Sequence, residues 1–306
     1  MKRFLSFLLV LVCVVGTTSA QLLYKISGNG LTKPSYIMGT YHFKGIENAD
    51  NVKHLQSVVM EVEQFCGELD LENMAKVEKL QQSIKVDSLP NGQTIVDIFN
   101  YKQFCKINQL LKNELGIDFF ANPELLNSVG RLQPAALIGL LNAKRLFGPI
   151  MDKVENGQFM PIDVSLLLIG HKLGKPTIGL ETAEFQIELL TRKASIKQQK
   201  KLVMEAVDAW ELGNRLLSMM STAYDKQDMT TIAMLVQNKN LRSILFGGNS
   251  TYKEILSDRD AAWVKCMPAI MAQKSTFFFV GIGHMAGKPG VLGHLRKMGY
   301  KVEPMQ

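Results

Sequence analysis

The chain has 306 residues, of which 46% are hydrophobic and 21% charged, and its formal net charge is +7. A chain of this length and composition can bury a real core, as ordinary globular proteins do. The positive charge never collects into five consecutive basic residues, and the densest group, Arg192 to Lys201, is typical of a solvated helix face. We therefore expect no nucleic-acid partner.

The first 20 residues have the three parts of a secretory signal. Lys2 and Arg3 precede an apolar run from Phe4 to Gly16, and the small residues TTSA end at Ala20. The run is 13 residues long, whereas a membrane helix needs about 20, so no stable membrane span is expected. Cleavage after Ala20 would leave one domain, residues 21–306, exported to the periplasm or secreted.

Three cysteines follow the signal segment, and their spacing indicates no metal or redox site. Cys66, Cys105 and Cys266 contain no CxxC pair, which excludes a zinc ribbon and a thioredoxin-like centre. At most one internal disulfide can form, and whether it does is left open. We assign none of the three a catalytic role.

Short apolar runs bounded by Gly, Pro or polar residues predict strands at 35–38, 57–62, 176–180 and 276–280. Helices are predicted at 51–56, 70–82, 94–115, 123–142, 163–173, 184–225, 229–241, 252–271 and 291–298. Strands near both ends with helices between them predict an α/β fold, whose central sheet carries a large helical insertion. No Pro/Ser-rich linker divides the chain.

The two ends of the chain contain similar motifs at matched spacing. KPSYIMGTYH is followed by SVVMEVE, and KSTFFFVGIGH is followed by YKVEP; Glu61 comes 19 residues after His42, and Glu303 comes 19 after His284. Each end is interpreted as one pseudo-repeated unit of strand, GxxH turn, helix and strand. The strands ending at Met38 and Val280 are therefore predicted to be neighbours.

The GxxH units are the best candidates for chemistry. In both, a glycine ends an apolar strand, and ligands of α/β sheets bind beyond the carboxyl ends of strands. If Glu61 closes the next strand, His42, Glu61 and His284 can share one crevice there. Such a set can hold a divalent metal ion or activate water through a histidine or glutamate base. The spacing does not choose between these uses.

Three other polar residues could belong to the same site, but each also has a common structural role. Glu181 ends another predicted strand, but a carboxylate there also suits the start of a helix. Asp163 can cap a helix. Arg259 can orient a carboxylate or clamp an anion, although most helix-surface arginines do neither. Three further histidines lie on predicted helices and are given no site role: His54, His171 and His294.

Five segments together carry a resemblance to a known family: PSYIMGTYH, VMEVE, IDVSLLLIGHKLGKPTIGLET, SDRDAAW and FFVGIGHMAGKPGVLGHLRKMGYKVEP. They resemble the TraB/GumN family, which is similar to the Tiki metalloproteases and more distantly to erythromycin esterases and haem-binding ChaN proteins. The resemblance implies that His42, Glu61 and His284 occupy catalytic or metal positions. It also implies supporting roles for Glu181, Asp163 and Arg259. Glu63 departs from the family, since many relatives have Asp or Asn there.

The expected function is that of an exported, metal-dependent hydrolase that cleaves an amide or ester bond in a peptide or small-molecule substrate. Two alternatives stay open: a metal-independent esterase with a histidine base, and a haem- or metal-binding protein without turnover. Glu61, inside an apolar run, is expected to be held and desolvated. Glu303, near the chain end, is expected to be solvated. The substrate, the metal and the oligomeric state are not specified by the sequence.

Overall fold

The computed structural model describes residues 21–83, 88–191, 194–238 and 252–305. Within these ranges, six strands form one sheet in the order β4-β3-β5-β2-β1-β6. The strands are β1 (Leu23–Ser27), β2 (Ser35–Thr40), β3 (Gln64–Gly67), β4 (Thr177–Gly179), β5 (Thr276–Gly281) and β6 (Lys301–Pro304). Neighbours among β4, β3, β5 and β2 are parallel, and β1 is antiparallel to both β2 and β6.

The centre of the sheet is the β2–β5 pair, and all residues of both strands are buried. Near-continuous apolar sequence is what a parallel strand covered on both faces requires, and TFFFVG in β5 meets that requirement. Met38 pairs with Phe279 and Gly39 with Val280. The prediction that these two strands are neighbours is therefore confirmed.

Helices surround this sheet, and they confirm the predicted α/β fold. They are α1 (Leu55–Glu61), α2 (Leu71–Ser83), α3 (Ile95–Ile98), α4 (Tyr101–Leu115), α5 (Pro134–Phe147), α6 (Met151–Glu155), α7 (Ile162–Lys172), α8 (Ala183–Thr191), α9 (Ile196–Asp208), α10 (Trp210–Asp225), α11 (Met229–Gln237), α12 (Asp258–Gln273), α13 (Ile282–Ala286) and α14 (Gly290–Lys297). A π-helical turn, Lys253–Ser257, leads into α12. No helix in the described ranges combines the length and apolar character needed to cross a bilayer.

The helical insertion has a hydrophobic cluster of its own, apart from the core around the sheet. Side chains of α3, α4, α5 and α9, together with two loop phenylalanines and the first residue of α10, build this second cluster: Ile95, Phe99, Phe104, Ile107, Leu111, Phe119, Leu137, Leu141, Val203 and Trp210. Capping boxes at Thr94, Asn100 and Ser195 begin α3, α4 and α9. Local sequence signals thus set where these insertion helices start.

One predicted strand is wrong. Residues 57–62 belong largely to α1, because Leu55, Val58 and Val62 are buried at helical spacing while Met60 is 66% exposed. The strand begins later, at Gln64, so it follows His42 at a different spacing from that of β6 after His284. The predicted pseudo-repeat is therefore not confirmed.

Smaller differences concern element boundaries. Strand β1 was not predicted, and the predicted helix at 51–56 shares only its last two residues with α1. The stretch 123–131 forms 3-10 turns before α5, and 184–225 divides into α8, α9 and α10. The end of the predicted helix at 229–241 lies outside the described residues, as does the whole signal segment.

Candidate functional site

Four neighbouring parallel strands deliver polar residues to one edge of the sheet. At or just after the carboxyl ends of β2, β3, β4 and β5 come, in that order, Thr40 and His42, Glu68, Glu181, and Gly281 and His284. This is the edge where loops converge in α/β folds. The crevice predicted from the GxxH units is thus present, and it extends over four strands.

His42 is held by a buried aspartate. Its Nδ1 lies 2.7 Å from Asp163 Oδ2, and Thr40 Oγ1 donates to Asp163 Oδ1 at 2.5 Å. Asp163 is only 6% exposed, whereas the His42 side chain is 53% exposed. The Asp163 carboxylate raises the pKa of His42 to about 9, against the opposing effect of burial. Within the described chain, Nε2 of His42 makes no hydrogen bond, so it is open to a ligand.

His284 is held in the same way but faces an arginine. Its Nδ1 lies 2.6 Å from Asp260 Oδ1, and its Nε2 lies 3.0 Å from Arg259 Nη1. A guanidinium group has no acceptor atom, so His284 Nε2 accepts this hydrogen bond. The proton of the imidazole is therefore on Nδ1, which donates a hydrogen bond to Asp260 Oδ1. The Trp263 ring packs 4.3 Å from the imidazole, measured between centroids.

Arg259 connects the carboxylates of two other strand ends. Its Nη2 donates to Glu68 Oε2 at 2.6 Å and to Glu181 Oε1 at 2.5 Å, and its Nε donates to Glu181 Oε2 at 3.0 Å. All three side chains are at most 10% exposed. Burial alone would raise the pKa of Glu68, but the Arg259 guanidinium and the hydrogen bond from the Gly281 N–H oppose it, and that pKa lies well below its usual range.

Gly281 marks the point where the side chains converge. A Cβ atom placed there would lie 3.2 Å from both Glu68 Oε1 and His42 Nε2, and 3.6 Å from His284 Cδ2. The backbone of Gly281, at φ −50° and ψ 133°, suits any residue, so the glycine provides space. One point near three side chains confirms that His42 and His284 share a crevice.

Glu61 does not reach this crevice, and its predicted place in the site is wrong. It is the exposed last residue of α1, and its Oε1 accepts a hydrogen bond from Tyr36 Oη at 3.0 Å. Tyr36 lies at the beginning of β2, hence at the amino edge of the sheet. The amino and carboxyl edges are separated by the length of β3, roughly 13 Å at 3.3 Å per residue. Glu68, which follows β3, stands where Glu61 was expected.

The supporting residues implied by the family resemblance do come together. Glu181 and Arg259 form the buried pair described above, and Asp163 orients His42. Asp163 is not a helix cap, because Pro161 occupies the N-cap of α7. As expected for a solvated residue, Glu303 pairs with Lys301 Nζ at 2.8 Å on an exposed surface.

Sequence reasoning missed Glu68, Asp260 and Trp263. Glu68 directly follows the short run FCG, so a correctly placed strand would have identified it. Asp260 and Trp263 are in SDRDAAW, the segment in which only Arg259 was singled out. Their burial in α12 is the property that the sequence pattern did not reveal.

The arrangement does not present a ready set of metal ligands. In the described ranges, no group of three His, Cys, Asp or Glu side chains is placed to hold an ion. The lone pair of His284 Nε2 accepts from Arg259, and Glu68 accepts from the Gly281 N–H at 2.7 Å and from Arg259. A cation bound by these residues would require Arg259 to move.

The chain was compared with known protein families, curated proteins and solved structures. The profile of the TraB/PrgY/gumN family matches residues 22–304, nearly the whole chain. A search of curated proteins found no match. A search of solved structures also found none. The match includes both GxxH segments and the helical insertion between them, and the chain therefore belongs to the TraB/PrgY/gumN family.

Proposed function

We propose that this protein is a hydrolase that activates water at His42 and cleaves an amide or ester bond in a peptide or small molecule. The observation that carries the proposal is the open Nε2 of a histidine whose Nδ1 is fixed by buried Asp163. A base oriented by a carboxylate, with its second nitrogen facing a crevice, is the arrangement that proton transfer requires.

The chemistry follows from two neighbouring acceptors. Neutral His42 Nε2 and Glu68 Oε1 approach the same side of Gly281, each 3.2 Å from the position that a Cβ would take there. In the proposed mechanism one water molecule beside Gly281 donates a hydrogen bond to each of them. His42 takes one proton as the water oxygen bonds to the substrate carbonyl carbon. The bond to the leaving group then breaks, and His42 returns the proton to that group. Asp163 stabilises the imidazolium between these two steps.

The other buried residues position Glu68 in this account. Arg259 and the Gly281 N–H fix both oxygens of the carboxylate, and Glu181 and His284 in turn hold Arg259. Because the pKa of Glu68 is held well below its usual range, it stays ionised and accepts a hydrogen bond without taking the proton. The proton therefore goes to His42.

A metal-dependent version is the second candidate, and one observation favours it. Four buried carboxylates, Asp163, Glu68, Glu181 and Asp260, gather around Arg259 and the two histidines. In addition, carboxylates on Nδ1 orient histidines at many metal sites. A cation would be held by His42, Glu68 and His284 once Arg259 had left His284, and it would polarise the substrate carbonyl or acidify water. Metal dependence stays a prediction, as does haem binding without turnover.

Export is part of the proposal. The segment from Lys2 to Ala20 carries it, and intact-mass analysis of protein recovered outside the cytoplasm tests it. A mass that begins at Gln21 supports cleavage. A mass that still includes Met1 to Ala20 contradicts it.

The hydrolase proposal is tested on residues 21–306 with a panel of p-nitrophenyl esters and fluorogenic peptides. We expect His42→Ala to lose at least about 100-fold in kcat/KM, the usual range for a general base. His171→Ala, at an exposed position at the end of α7, is the matched control and should keep full activity. Equal activity in both variants would refute the proposal.

The same protein preparation distinguishes the three candidate functions. Activity that survives EDTA, in protein without stoichiometric metal, supports the histidine base. Activity that EDTA abolishes and a divalent ion restores supports the metal version. A Soret band after haem addition, with no turnover on any substrate, would favour the binding protein instead.

A further inference from the structure

We propose that the groove beside His42 binds an uncharged, apolar chain of the substrate, so that the enzyme prefers esters or amides with such a chain. This inference rests on the proposed function, and it names the substrate class for the same site. It is carried by a cavity of about 680 Å³ that both His42 and Glu68 line. A cavity of this size is within the usual range of small-molecule pockets.

The wall of the groove is apolar over most of its surface. It is formed by the beginning of α7 and one face of α2, and its apolar side chains include Leu69, Leu71, Met74, Ala75, Val77 and Val164. Leu71 and Met74 are half-buried and pack against the main core. Their remaining surface is therefore rigidly placed and available to an apolar ligand, whose burial is favourable.

The charges around the groove disfavour an acidic substrate. Four ionisable residues line it, namely His42, Glu68, Glu78 and Asp163. His42 is the one basic residue among the described lining residues, and its Nδ1 is engaged by Asp163. A carboxylate or phosphate on the bound chain would lie near Glu68 and the exposed Glu78 with no lysine or arginine of the lining to receive it. An uncharged chain meets no such repulsion.

A second cavity, of about 780 Å³, differs in character. Four basic residues line it, Lys44, Lys144, Arg145 and Lys153, against two acidic ones, Glu47 and Glu114, and neither His42 nor Glu68 is among the lining residues. An acidic substrate would fit that cavity better than the groove. The groove and the second cavity therefore predict opposite substrate preferences, so an experiment can distinguish which of them binds the substrate.

The test compares p-nitrophenyl acetate, butyrate and hexanoate, and the hexanoate analogue that ends in a carboxylate. Each buried methylene is worth about fourfold, so we expect kcat/KM to rise at least tenfold from acetate to hexanoate. The acidic analogue should lose that gain. Met74→Glu should abolish the chain-length preference, because it places a charge in the groove. Met60→Glu is the matched control, since Met60 is 66% exposed on α1.

A binding measurement keeps the inference independent of turnover. The uncharged fluorophore N-phenyl-1-naphthylamine should bind the wild type and the Met60→Glu variant, and bind Met74→Glu at least tenfold more weakly. Binding without hydrolysis of any ester would refute the proposed function but support the groove. Hydrolysis that depends on His42 but has no chain-length preference, or that favours the acidic analogue, would overturn the groove proposal. Fluorophore binding that Met74→Glu leaves unchanged would do the same.

Discussion

Replacing Gly281 by alanine tests the site with one methyl group. The new Cβ would lie 3.2 Å from His42 Nε2 and from Glu68 Oε1, closer than ordinary van der Waals contact. Those two groups would have to separate by a few tenths of an ångström, and the methyl would occupy space next to the proposed water. The backbone angles of Gly281 suit alanine, so the change should act on the site more than on the fold.

The expected loss of activity in Gly281→Ala can be estimated from the known cost of misplacing a reacting group. Misplacing a reacting group by about 1 Å can cost 100-fold in rate, and here the methyl also obstructs the water, so we expect kcat/KM to fall by about 100-fold. Overpacking a buried site costs about 1–3 kcal/mol, so the free energy of unfolding should fall by no more than that. Urea unfolding monitored by circular dichroism measures it alongside ester hydrolysis.

Gly283→Ala is the matched control, two residues away in the same motif. Its Cβ would meet the Leu256 methyl groups at 3.5 and 3.7 Å, which are ordinary contacts. This variant should keep a kcat/KM close to that of the wild type, because its methyl group would contact Leu256 and neither His42 nor Glu68. Equal losses in the two variants, or full activity in Gly281→Ala, would refute the assignment of the reacting space.

Three further predictions concern other residues. Glu68→Gln should lower kcat/KM by about 100-fold, a loss of the size produced by removing a key polar group, whereas Glu61→Gln should not change it; the reverse result would contradict the assignment of Glu68 as the carboxylate of the site. Because the folded pKa of His42 is raised from 6.5 to about 9, protonated His42 stabilises the fold: the contribution is fully present below pH 6.5 and is lost as pH rises through 9. His42→Gln should therefore flatten the pH dependence of urea unfolding in that window, and an unchanged dependence would contradict the raised pKa. Gly39→Ala would place a Cβ against Ile282 Cδ1 and should destabilise the protein by about 1–3 kcal/mol, and an unchanged melting temperature would contradict the close packing of β2 against α13.

The sequence predicted the centre of the fold because local signals there are strong. The runs SYIM and TFFFV are apolar, β-rich and bounded by glycine, and they became β2 and β5. The pairing of β2 with β5, and with it the proximity of His42 and His284, was predicted from the similar motifs at the two chain ends. The pairing is present although the pseudo-repeat itself is not confirmed.

The carboxylate of the site could not be found in the same way. A short apolar run such as SVVMEV is compatible with a strand or a buried helix face, and the error at 57–62 moved the predicted carboxylate to Glu61. Arg259 contacts Glu68 across 191 residues and Glu181 across 78. Such pairing depends on which strand ends become neighbours, and one-dimensional periodicity does not contain that order.

The most direct test of the central claim is the pH dependence of kcat/KM for the wild type and Asp163→Asn on the best ester substrate. If His42, held by Asp163, is the base, activity must rise with pH to a plateau, with an apparent pKa near 9. Removing the carboxylate should move this rising limb toward 6.5, the ordinary value for histidine. A wild-type activity that falls as pH passes through 9, or a limb at the same pH in both proteins, would contradict the assignment of His42 as the base.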